Sequence, residues 1–131
     1  MNGRYIVWLG LAVGLLAGCS EPQYALPDRS TAAVQAEEQR LAALLPGELV
    51  SGPGTCKVRL LGQEGSSSFA WAQCEGAPDP GVASAVSMPV RVDGDRVTRP
   101  LDGSEYSASV KRIFPGRLAE AVLNDPDGLH P

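Results

Sequence analysis

Cys56 and Cys74 are the residues of this chain whose types and spacing most directly suggest shared chemistry. They bracket two alternating apolar runs, TCKVRLLG and SSFAWAQCE, joined by Gln63-Glu64-Gly65-Ser66, the pattern of a β-hairpin around a Gly/Ser turn. With Gly65 as the centre of symmetry, Cys56 falls directly opposite Cys74, with Val58 against Ala72 and Leu60 against Ala70 on the same face. On the other face Arg59 meets Trp71 and Leu61 meets Phe69, and Arg59 over the indole ring would add a cation–π contact. Facing thiols can form a disulfide, act as a redox pair or bind a metal. A redox dithiol favours Cys-x-x-Cys spacing, and zinc needs two more ligands. The only histidine, His130, stands one residue from the end of the chain.

Other catalytic sets are missing. A serine hydrolase needs a base, and no Gly-x-Ser-x-Gly follows the first eighteen residues. No serine stands three residues before Lys57 or Lys111, and no glycine loop suits phosphate. Asp93-Gly94-Asp95 resembles the start of a calcium loop without its later ligands; a tight turn between valines explains it better. Glu37 and Glu38 are neighbours on a helix, about 100° apart, so they read with Arg40 as a solvated face. Any two of Glu64, Glu75, Asp79 and Asp102 could converge as an acid pair, though no pattern singles them out. These residues predict no metal and no cofactor, and they favour a non-enzymatic role.

The first nineteen residues carry an address. Arg4 is the only charge before position 21, and Tyr5–Leu16 is an unbroken apolar run of a dozen residues. As a helix it would rise only about 18 Å, short of the roughly 30 Å hydrocarbon core, so it reads as an export signal. Leu16-Ala17-Gly18-Cys19 follows, and it resembles the lipobox of bacterial lipoproteins position by position. That resemblance implies diacylglycerol on the Cys19 thiol, cleavage after Gly18, and acyl chains such as palmitate holding the protein to the outer face of the cell membrane. Export would place Cys56 and Cys74 in an oxidising compartment, and with Cys19 lipidated one pairing remains, a Cys56–Cys74 disulfide. AWAQCE, PVRVDGDRV and SVKRIFPG resemble small uncharacterised lipoproteins of actinobacteria, a likeness that brings no catalytic residues across.

The remaining 113 residues suit one domain. Net charge is −4 for the full chain, and loss of Arg4 with the leader takes it to −5. No basic field exists for nucleic acid, and no polybasic segment supplements the lipid. The organisation expected is a signal peptide at 1–18, a flexible tether at 19–28, a single α+β domain at 29–124 and a tail at 125–131. Asp28, Ser30 or Thr31 would cap a helix running to Leu45, with Val34, Leu41, Leu44 and Leu45 inward and Pro46-Gly47 as its stop. Val86, Met88, Val90 and Val92 alternate as a strand, and Pro89 marks an edge or a bulge. After the Asp93–Asp95 turn and a return strand, Tyr106, Val110, Ile113 and Phe114 stripe a helix. Pro115-Gly116 breaks it before a second helix carrying Leu118, Val122 and Leu123. The simplest burial solution is one antiparallel sheet of about four strands (two hairpins), covered on one face by an N-terminal helix and C-terminal helices.

The functional expectation is a lipid-anchored extracytoplasmic accessory or binding module for an envelope protein, a peptide or a small ligand. Arg59, Phe69 and Trp71 could form its contact surface or the core beneath the helices. The alternatives are a small envelope enzyme with converging acids, an inhibitor presenting the Pro78-Asp79-Pro80-Gly81 loop, or a purely structural envelope protein.

Overall fold

A computed structural model describes residues 24–50, 53–76 and 84–131. Cys19, the leader and the 78–81 loop lie outside the described residues. Four antiparallel strands form one sheet in chain order: β1 (Gly54–Glu64), β2 (Ser67–Gly76), β3 (Ala85–Asp93) and β4 (Arg96–Thr98). Helix α1 (Ala32–Leu49) precedes the sheet, and α2 (Tyr106–Ile113) and α3 (Gly116–Asn124) follow it. The fold is α+β, as expected, with the Cys56–Cys74 disulfide in place.

The hairpin register holds from Cys56 opposite Cys74 to Leu60 opposite Ala70, with Arg59 opposite Trp71. It then shifts by one: Gly62, not Leu61, faces Phe69, so Leu61 is the extra residue of a β-bulge. The cause is the turn. Gly65 and Gly94 occupy the first turn position of their hairpins with φ of 56° and 61°, giving tight two-residue turns in place of one centred on Gly65. Pro89 sits opposite Trp71 in an unbroken ladder, beyond the end of β4, which reaches only Arg91. That is the edge solution for a residue lacking an N–H.

Helices cover both faces of the sheet, not one. On the first face Val58, Leu60, Ala70, Ala72, Cys74, Val90 and Val92 pack under Leu41, Leu45 and Leu49 of α1. On the second, Leu61, Phe69 and Trp71 pack with Val110, Phe114, Leu118 and Val122 of α2 and α3. The central strand β2 is therefore buried on both sides, from Phe69 through Ala72.

Thr31 caps α1, its hydroxyl accepting from the Val34 N–H at 3.4 Å. The helix runs past Pro46-Gly47 to Leu49. An interior proline costs about 3 kcal/mol, but continuing places Leu49 and Val50 in the core, at about 1.5–3 kcal/mol each. Burial wins over the local stop signal.

The helix also docks through charges that sequence periodicity assigned to solvent. Glu38 accepts from the Leu60 N–H at 3.3 Å and pairs with Arg29, whose guanidinium donates to the Val58 carbonyl at 3.4 Å. The pair thus occupies backbone groups on the free edge of β1, a device that discourages strand addition there. Glu37 accepts from the Ser68 hydroxyl at 2.8 Å and pairs with Arg40. At the same end of the sheet the Ser67 hydroxyl donates to Asp93, which also pairs with Arg91.

These bonds make the fold acid-sensitive. Hydrogen bonding by Arg40 holds the Glu37 carboxyl below its usual 4.5, and hydrogen bonding by Ser67, then Arg91, holds Asp93 below its usual 3.8. Lowered folded values mean stability fully present above those figures and lost as pH falls through the folded values. Urea midpoints should therefore stay level from neutral pH to about 5 and fall below about 4.5. Glu37→Gln should flatten part of the fall; an unchanged acid slope in that variant would rule Glu37 out as a contributor.

Candidate functional site

The surface expected around Trp71 is in fact a core. Phe69 is 2% exposed and Trp71 5%, so neither offers a docking face in the folded domain. Arg59 does not lie over the indole. Its NH1 donates to the carbonyls of Gly128 and His130, at 3.4 and 3.2 Å, and the ring against Trp71 is His130, 4.5 Å between centroids and tilted by 46°. The cation–π contact of this face is Arg91 over Phe69, at 5.9 Å. The segment expected as a tail is thus folded in: a 3₁₀ turn spans Asp127–Leu129, and Leu129 is buried in the second core.

Arg59 is the latch of that segment, although its buried Nε finds no partner. Arg59→Ala should release residues 127–131, at about 1–2 kcal/mol for two bonds from a charged donor. Trp71 then loses its His130 cover. Its emission should shift to longer wavelength and become more open to acrylamide quenching, whereas unaltered emission would mean that Arg59 does not hold the segment.

A concave feature among the described residues lies at the opposite end of the sheet from the two hairpin turns. It is a depression of about 490 Å³ lined by Thr55, Cys56, Lys57, Gln73, Cys74, Glu75, Ala85, Val86 and Ser87. Its volume falls in the range of small-ligand sites. By strand alternation Thr55, Lys57, Gln73, Glu75 and Ser87 share the Trp71 side of the sheet. Ser87 Oγ accepts from the Trp71 indole N–H at 2.9 Å, which ties the rim to the core. The disulfide cross-links β1 and β2 within the lining. Lys57 and Glu75 belong to none of the ion pairs of the described residues, Arg29–Glu38, Arg40–Glu37 and Arg91–Asp93. One cation and one anion, two hydroxyls and an amide therefore face a shared space with their charges uncommitted.

Sequence reasoning did not single out Lys57, Gln73 or Ser87. The signal was a change along one face. On β2 the positions Phe69 and Trp71 are apolar, while Gln73 and Glu75 continue the same face as polar residues past the reach of α2 and α3.

Of the acids considered as a pair, Asp79 lies outside the described residues, and Glu64 and Glu75 do not meet. Glu64 faces Ser67 and Glu75 faces Thr55, at opposite ends of the hairpin, about 26 Å apart along β2 at strand rise. Among the described residues no three His, Cys, Asp or Glu side chains gather as a metal site. No helix among them is long and apolar enough to cross a membrane. Comparison with known proteins finds no matching family model, no similar curated protein and no similar solved structure.

Proposed function

We propose that this protein is a binding or accessory module held on the outer face of the cell membrane by acyl chains on Cys19, and that the depression between β1, β2 and β3 is its binding site. The observation that carries the reading is the uncommitted Lys57 and Glu75 beside Thr55, Gln73 and Ser87 on a rigid, disulfide-linked floor. Lys57 and Glu75 stand outside the ion pairs that hold the rest of the domain, and with the nearby hydroxyls and amide their chemistry suits a polar ligand with both donor and acceptor groups, such as a peptide segment. A preorganised floor lowers the ordering cost of binding. The anchor rests on Leu16-Ala17-Gly18-Cys19 and the apolar run before it.

Photocrosslinking in native membranes tests the site. Benzoylphenylalanine in place of Gln73 should trap a discrete partner, and Lys57→Glu in the same chain should abolish the adduct. A probe at Glu120, on the exposed side of α3, is the control. Equal labelling from positions 73 and 120 would remove the depression as the site.

A further inference from the structure

We infer that residues 24–26 form a strap that orients the domain on the bilayer, with the hairpin-turn end of the sheet toward lipid and the binding depression facing away from it. This rests on the acyl anchor at Cys19 proposed above and adds the direction in which the site points.

The strap is held by specific contacts. The Tyr24 hydroxyl donates to the Leu61 carbonyl at 2.9 Å, and Tyr24 and Leu26 pack against the second core. Residues 24–28, expected as part of a flexible tether, are thus bound to the domain. Gly62 makes the contact possible, because a Cβ there would stand 2.9 Å from the Tyr24 oxygen. Burial, then the nearby Glu64 carboxylate, raises the Tyr24 pKa and keeps the hydroxyl a donor. Further along, Arg29 reaches Val58. The chain therefore follows the edge of β1 from its turn half toward its middle before entering α1.

Length then decides the orientation. Four residues lie between Cys19 and Tyr24, so five Cα-to-Cα steps give a reach of at most about 17 Å. Lys57 and Thr55, in the depression, lie four and six residues down β1 from Leu61, about 13–20 Å away. Turning the depression to the lipid would need the leash stretched back along the strand, at a cost in chain entropy. Placing the turn end down needs no stretching. Glu64, Asp95, Arg96 and Arg40 at that end mix both signs, so the leash sets the orientation and headgroup attraction does not.

The test uses the acylated full-length protein in vesicles of phosphatidylethanolamine and phosphatidylglycerol. Benzoylphenylalanine is placed at Ser66 or at Thr55, both exposed, and lipid adducts are counted by mass spectrometry. Ser66 should give several-fold more adduct than Thr55. Tyr24→Ala with Leu26→Ala should bring the ratio toward one. A short Gly/Ser insert between Pro22 and Gln23, which leaves the domain intact, should also narrow it. Equal adducts in the parent protein, with Cys19 acylated by intact mass, overturn the orientation alone. An unmodified Cys19 overturns the anchor, and the orientation with it.

Discussion

Replacing Phe69 with alanine is expected to lower the unfolding free energy by about 3–5 kcal/mol, a large part of the 5–15 kcal/mol typical of a domain. Phe69 projects from the doubly buried strand β2 into the second core, meets the Phe114 ring edge-on at 5.9 Å and carries Arg91 over its face. Alanine removes the aromatic contact and the cation–π contact and leaves a cavity between sheet and α2. The bulge at Leu61 places Gly62, which has no side chain, directly opposite Phe69. Leu41→Ala, on the other face, should cost about 2–5 kcal/mol. Because the sheet separates the two sites, the effects should add to within about half a kcal/mol in the double variant. Urea unfolding followed by fluorescence and by circular dichroism should give one coincident transition in each variant. A loss below about 1 kcal/mol for Phe69→Ala would mean that the ring is not a core residue.

The parts of this fold legible in the sequence were those set by neighbours in the chain. Two alternating runs around a glycine turn mark the hairpin that carries Cys56 opposite Cys74, a register the Leu61 bulge completes, and the helix over 106–113 ends where Pro115-Gly116 says it should. The parts misread were set by distant partners. Pro46 is a sound local stop, overridden by the burial of Leu49 and Val50. Glu37 and Glu38 have the spacing of solvated residues, yet reach Ser68 and Leu60 on strands that local periodicity cannot place beside them. The second helical layer did leave a trace. Phe69-Ala70-Trp71-Ala72 is an unbroken apolar run, the mark of a strand covered on both faces, whereas β3 and β1 alternate. Leu129 carried no trace, since one leucine in a proline- and glycine-rich end has no period to reveal it. The depression was hidden for the same reason: Lys57, Gln73 and Ser87 lie on three strands and become a group only once the register joins them.

Removing the disulfide should produce the other large effect, and it links stability to the proposed site. The bridge spans eighteen residues, and closing a loop of that length in the unfolded chain is worth about 3 kcal/mol in the chain-entropy model. Cys56→Ala with Cys74→Ala should therefore lower the melting temperature by roughly 10–20 °C for a domain of this size. Alanine is preferred to serine because Cys74 is 1% exposed, and a hydroxyl there would be buried in the α1-side core without a partner. Reducing the parent protein with dithiothreitol should reproduce the shift, since it breaks the same crosslink without changing a side chain's place. The bridge also holds the register: a slip by one residue would carry Val58, Leu60, Ala70 and Ala72 out of the first core. Cys56 and Cys74 line the depression, so the reduced domain, though still folded at room temperature, should lose crosslinking from position 73 before it loses helical signal. Equal melting temperatures with and without reductant would show that the crosslink contributes nothing to the fold. Full crosslinking in the reduced state would show that the floor of the depression is held by the strands alone.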